Sequence, residues 1–264
     1  MSDLIERAPF DLLVAKTRAV GALLLSLWPG ASRDASSLSV TQKGDGSLVS
    51  AADMRSNELL TEALRALFPG DFIFSEEVSS DPAQVRSARR TWIIDPLDGT
   101  AAFLEGRDDF SVLLGLSVAH KPAAGIMFFP ARDEMITAIV GEGAFKDGAP
   151  LRVSSASTPR PNRVYMRKCP RVVPELASPS MDSGLALALV ASGELDGAII
   201  RMLTHREWDI AAPMAVLREA GARVSDETGR EVPLGVGGIG FSYLVVSNGL
   251  VHDQLLDVVS QISG

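Results

Sequence analysis

The stretch Trp92-Ile93-Ile94-Asp95-Pro96-Leu97-Asp98-Gly99-Thr100 joins an apolar run to two aspartates three residues apart and then to a Gly-Thr pair. Three bulky apolar residues in succession read as a short buried strand, and Pro96 and Gly99 mark a turn after it. The strand delivers Asp95 and Asp98 together at its C-terminal end. Two carboxylates held that close repel each other unless a proton or a cation intervenes. Magnesium, which takes oxygen ligands, meets that need. Gly99 and Thr100, at an expected helix start, offer backbone N–H groups suited to a phosphate oxygen.

Outward from this stretch, acidic residues recur where elements meet. Asp53 opens a helix expected over 51–68, in which Leu60, Ala63, Leu64 and Leu67 form an apolar face. Glu76-Glu77 follow the strand-like Phe72-Ile73-Phe74, and Trp208-Asp209 open a late helix. Each alone has a structural explanation: acidic residues suit helix N-termini, and Asp-Pro and Asp-Gly are turn chemistry. Their recurrence at element junctions is what points to a metal site.

The remaining pattern is of mixed class. An apolar N-terminal helix is expected over 8–28, closed by Trp28-Pro29-Gly30, with a polar stretch containing Gly44 and Gly46 after it. Strand-like runs occupy Phe110 to Ala119, Ala124 to Phe129 and Met135 to Val140, separated by turn residues. These suggest an α+β half over residues 1–150, with helices on a mostly antiparallel sheet. Over 151–264 a Pro-rich lead is followed by alternating helices (183–192, 208–220 and one from about 250) and strands (198–202, 222–225, 243–247), an α/β half. The fold class is thus α/β, with the site expected between the halves.

Composition narrows the function. At 264 residues, 46% hydrophobic and 22% charged, the chain has the balance of an ordinary globular protein. A formal net charge of -8 argues against a nucleic-acid partner. Cys169 is the only cysteine, so no internal disulfide and no Cys-x-x-Cys site exists. The apolar run Val20 to Trp28 is shorter than the roughly 20 residues that span a bilayer, and the acidic residues before it spoil a signal leader. A cytoplasmic location with no membrane partner is expected. Gly235-Val236-Gly237-Gly238-Ile239-Gly240 fits G-x-G-x-x-G, but a strand-like run follows where a dinucleotide site needs a helix, so it reads as a loop. No G-x-S-x-G elbow is present.

The run 92–100 resembles the signature of the inositol monophosphatase family. Leu48-Val49-Ser50-Ala51-Ala52-Asp53, Ser75-Glu76-Glu77, and Trp208-Asp209-Ile210-Ala211-Ala212 with Glu219-Ala220-Gly221 resemble its other motifs, in family order. The resemblance implies a layered αβαβα sandwich of the inositol monophosphatase/fructose-bisphosphatase type, two or three Mg2+ per site, lithium sensitivity and a homodimer. It implies that Glu76, Asp95 and the Leu97 carbonyl hold one magnesium, and that Asp95, Asp98 and Asp209 hold another. Glu76 and Asp53 would help a third. Gly99 and Thr100 would hold the phosphate, while Asp53, Glu76 and Thr100 align and deprotonate the attacking water. The implied substrate is a small phosphorylated metabolite, inositol monophosphate or a 3′(2′),5′-bisphosphate nucleotide. Alternatives are a sugar-bisphosphatase, a histidinol-phosphatase or a non-catalytic regulator.

Several positions depart from the family pattern. Ser50 replaces a usual Thr, and Glu105 stands where a basic or polar residue is common. Met202 to Glu207 lacks the acid that inositol-preferring members carry there. Leu203-Thr204-His205-Arg206-Glu207-Trp208-Asp209 instead resembles the Thr-x-Glu-Trp-Asp of bacterial bisphosphate nucleotidases, although Ala186 falls where those tend to carry Lys. His205 and Arg206 are candidate substrate contacts.

Overall fold

The computed structural model describes residues 5–29, 40–42 and 48–262. Gly30 and the stretch with Gly44 and Gly46 lie outside the described residues. The strands β1 (Val40–Gln42) and β2 (Leu48–Ser50) pair antiparallel ahead of helix α2 (Ala51–Leu67), which carries Asp53 in its first turn.

A seven-stranded sheet has the order β3-β4-β5-β6-β7-β8-β9. Its strands are β3 (Phe72–Ser75), β4 (Arg90–Asp98), β5 (Ser111–Val118), β6 (Lys121–Phe129), β7 (Glu134–Ile139), β8 (Gly143–Lys146) and β9 (Ala149–Pro150). Only β3 and β4 run parallel, joined by the short helix α3 (Pro82–Ser87); the other neighbours are antiparallel. The central strands are apolar on both faces because both are covered. Trp92, Ile94, Val112, Leu114, Ile126 and Phe128 face one core, with the buried stripe Phe10, Leu13, Val20 and Leu24 of α1 (Arg7–Leu27) and Leu60 and Leu64 of α2. Their alternates Ile93, Leu113 and Met127 face the other core. This is the period of two that a pleated strand imposes.

That second core is filled by α5 (Ser183–Ala191) and α6 (Glu207–Ala220) and closed by a smaller sheet. The smaller sheet has the order β10-β11-β13-β12, from β10 (Val164–Arg167), β11 (Gly197–Arg201), β12 (Arg223–Asp226) and β13 (Tyr243–Ser247). It is mixed, with β10 and β11 parallel and the other pairs antiparallel. Ala198, Ile200, Leu244 and Val246 face α5 and α6, while Ile199 and Val245 meet Leu255 and Val259 of α7 (His252–Ile262). The layers are therefore helix, sheet, helix, sheet, helix.

The inner helix pair sits unusually close to the large sheet. A Cβ on Gly115 would lie 2.5 Å from the Ala211 carbonyl carbon, and one on Gly125 would lie 2.4 Å from the Ala212 carbonyl oxygen. Glycine on the strands and alanine on α6 bring that helix onto β5 and β6. This contact sets where the N-terminus of α6, and with it Asp209, stands relative to β4.

Candidate active site

β4 runs on past the expected strand 92–94 to Asp98, with its pairing to β5 irregular between Asp95 and Asp98. The irregularity lets both carboxylates converge, although a regular pleat would send residues three apart to opposite faces. Asp95 and Asp98 are buried. The Leu97 amide donates to Asp95 Oδ1 at 3.1 Å, and Ser111 Oγ donates to Asp98 Oδ2 at 3.1 Å. Gly99 then caps the short helix α4 (Thr100–Leu104) with φ 78°, a left-handed conformation that costs a residue with a Cβ more than glycine. Thr100 Oγ1 donates to the Leu97 carbonyl at 3.1 Å, which leaves that oxygen a second lone pair.

The third carboxylate arrives from far along the chain. Asp209 stands in the first turn of α6, where its Oδ2 accepts the Arg206 amide. Pro213 lacks the N–H that would bond the Asp209 carbonyl. One carboxylate oxygen from each of Asp95, Asp98 and Asp209 lies within 4.8 Å of the others. Glu76 follows β3, with its amide donating to the Ile94 carbonyl at 3.2 Å, so it is tied to the same strand end. Asp53, fully buried, adds a further negative charge felt at Asp95. Asp95, Asp98 and Asp209 thus converge, and Glu76 and Asp53 lie near enough to act on the Asp95 carboxyl.

Crowding and burial shift these acids together. Asp95 is raised well above the usual carboxylate range by burial, then by Glu76, Asp98 and Asp209. Asp98 is raised by burial, then by Asp182 and Asp209. Asp209 is pushed up to about 7, chiefly by burial, against the lowering effect of the Arg206 amide. Such a cluster keeps its charges only when a cation shares them. The donors are all carboxylate oxygens, a hard set that fits magnesium or calcium better than zinc or copper. The residues fit a hard divalent cation.

His205 and Arg206 are brought to the edge of the same site, but differently from one another. Arg206 is exposed, with its guanidinium donating to the His205 carbonyl at 3.1 Å. His205 is buried, with Nε2 3.2 Å from Ser183 Oγ. Burial, with Arg167, Lys168 and Arg206 nearby, lowers its pKa to about 3, so it is a neutral ring rather than a cation.

Asp182 is a carboxylate the sequence reading did not single out. It is buried, N-caps α5 by accepting from the Gly184 amide at 3.0 Å, and shares a hydrogen bond with Asp98. A Cβ on Gly99 would lie 3.2 Å from its carboxyl carbon. Asp182-Ser183 before an apolar run is legible as a helix cap, but nothing in its spacing points to Asp98.

Comparison with known proteins agrees with this geometry. The sequence profile of the inositol monophosphatase family matches residues 8–263. A histidinol-phosphatase of Chlorobaculum parvum is 34% identical, over 74% of this chain and 78% of its own. A fructose-1,6-bisphosphatase/inositol-1-monophosphatase of Thermotoga maritima is 29% identical, over 96% of each chain. The solved Thermotoga maritima IMPase superposes with a TM-score of 0.81 at 26% identity, covering 96% of this chain and 97% of that one. This chain belongs to the inositol monophosphatase family and is a phosphoric monoester hydrolase.

Proposed function

We propose that this phosphatase is magnesium-dependent and cleaves a small phosphorylated metabolite: inositol monophosphate, a 3′(2′),5′-bisphosphate nucleotide or histidinol phosphate. The observation that carries the reading is the convergence of Asp95, Asp98 and Asp209 from β4 and α6, with ligand oxygens within 4.8 Å of one another. Asp95, Asp98, Asp209, Glu76 and the Leu97 carbonyl would hold two Mg2+, with Asp53 and Glu76 aiding a third. Bound there, magnesium supplies charge neutralisation at the phosphoryl group and acidifies the attacking water.

The chain's own groups do the rest. The Gly99 and Thr100 amides bind the phosphate, and Leu97 fixes the Thr100 hydroxyl through the bond at 3.1 Å. Glu76 receives the proton of the attacking water, and Asp53 and Thr100 orient that water for in-line displacement. Arg206, exposed at the rim, meets an anionic or polar part of the leaving group, and neutral His205 lines the wall beside it. Lithium sensitivity, a homodimer, a cytoplasmic location and a division near residue 150 belong to the same reading.

Phosphate release from inositol 1-phosphate, adenosine 3′,5′-bisphosphate, fructose 1,6-bisphosphate and histidinol phosphate tests it, with magnesium and with chelator. Release from one ester that chelation abolishes is expected. Release that survives full chelation would overturn the metal assignment.

A further inference from the structure

The run Gly235-Val236-Gly237-Gly238-Ile239-Gly240 lies in the connection between β12 and β13, and its amides converge on a carboxylate of the chain itself. Glu207, 2% exposed, accepts the amides of Gly235, Val236 (3.2 Å) and Gly238 (2.7 Å). Amides aimed at one anion form the nest that other proteins offer to phosphate. Here the anion is the first residue of α6, just ahead of Asp209.

The loop belongs to the smaller sheet by connectivity, but it is anchored on the frame of the large one. The Leu234 amide donates to the carbonyl of His120, in the turn after β5, at 3.0 Å, and Ser117 Oγ of β5 donates to the Leu234 carbonyl at 3.0 Å. Arg86 of α3, between β3 and β4, donates to the Val236 carbonyl through Nε at 3.2 Å and Nη2 at 3.1 Å. Gly237 has φ 76° and lies so close to α3 that a Cβ would stand 2.7 Å from Pro82 Cα. Only glycine meets both demands. The Glu207 carboxylate is thus held by a loop fixed on either side of β4, the strand that carries Asp95 and Asp98.

We infer that Glu207 is a positioning residue for the metal site, fixing the start of α6 so that Asp209 meets Asp95 and Asp98. The inference rests on the metal reading of the carboxylate cluster and adds to it a residue whose oxygens face the loop. The close approach of Gly115 and Gly125 holds α6 at Ala211 and Ala212, past its first turn. That contact alone does not fix the direction of the turn bearing Asp209. Glu207 fixes it through the loop amides, and Trp208 adds edge-to-face packing on Phe74, with centroids 5.2 Å apart. A carboxylate suits the position because both of its oxygens accept, whereas glutamine would set an NH2 group against amide donors. Its charge also favours a helix N-terminus.

Magnesium binding to the full chain, measured by calorimetry without substrate, tests this, with thermal unfolding alongside. The dissociation constant should rise roughly tenfold in Glu207→Ala, the scale on which supports of a metal ligand act, and less in Glu207→Gln. In kinetics the variants should need more magnesium, while kcat at saturating magnesium stays within a few-fold of wild type. Glu227 supplies the control, since its Oε2 accepts the amides of Ser242 (3.1 Å) and Tyr243 (3.0 Å) at the far end of the same connection. Glu227→Ala should lower the unfolding midpoint yet keep the wild-type magnesium affinity. Wild-type affinity in a folded Glu207→Ala, or an equal loss in Glu227→Ala, would overturn the inference. Should Glu207→Ala not fold, Glu207→Gln decides, and wild-type affinity there would overturn it too. A wild-type protein that binds no magnesium would instead sink the metal reading itself.

Discussion

Gly115→Ala tests whether the contact between α6 and the large sheet sets the metal site. The added Cβ would stand 2.5 Å from the Ala211 carbonyl carbon and 2.6 Å from the Ala212 nitrogen, both backbone atoms of α6. No side chain can rotate away to make room. Ordinary contact begins at 3.4 Å, so the helix must retreat by about 1 Å. Ala211 is two residues from Asp209, while Asp95 and Asp98 stay with β4, so the retreat pulls apart ligand oxygens now within 4.8 Å. Overpacking of this kind costs about 1–3 kcal/mol of stability. A 1 Å misplacement costs roughly 100-fold in rate. The assay is kcat/KM for phosphate release across a magnesium titration, with thermal unfolding alongside. A folded variant should need several-fold more magnesium and turn over on the order of 100-fold slower. A variant with wild-type magnesium dependence and rate would refute the claim that this contact positions Asp209.

Asp95→Asn should lose turnover by at least about 1000-fold while keeping its circular dichroism spectrum, because it removes a proposed metal ligand and relieves like-charge crowding. Normal turnover would sink the ligand assignment. Asp182→Asn removes an anion hydrogen-bonded to Asp98, so magnesium affinity measured by calorimetry should fall roughly tenfold, since ligand charge tunes cation affinity. Unchanged affinity would show that Asp182 only caps α5. The metal-free protein should also gain stability on acidification. A carboxyl raised in the folded state binds its proton more tightly there, so folding gains as pH falls from about 7, where Asp209 titrates, towards its ordinary 3.8. The midpoint of thermal unfolding in chelator should rise between pH 8 and pH 6, and saturating magnesium should flatten that slope. A chelated protein equally stable at both would show that these carboxylates do not repel.

The layers were legible because the signal is local. The alternation of Ile93 with Trp92 and Ile94, and of Leu113 with Val112 and Leu114, marks β4 and β5 as covered on both faces. The acidic junctions were legible for the same reason, since each borders an element recognisable from its own residues. β10 was not, because it lies between Pro161 and Pro170 in a stretch that reads as irregular, and it becomes a strand only by pairing with β11. β8 and β9 are short strands at one end of the sheet with little apolar pattern. Asp182 and Glu207 escaped for a deeper reason. Their partners, Asp98 and the amides of Gly235, Val236 and Gly238, are distant in sequence, and neither spacing nor residue type encodes that meeting. Cys169 behaves as its isolation suggests, a half-buried thiol that burial pushes up to about 11.

The central claim is that Asp95, Asp98 and Asp209 hold a divalent cation, and anomalous diffraction from crystals grown with Mn2+ in place of Mg2+ tests it most directly. At least one anomalous peak is expected within bonding distance of oxygens from all three carboxylates, lost in Asp95→Asn. Crystals of active protein with saturating Mn2+ and no anomalous density between these residues would contradict it.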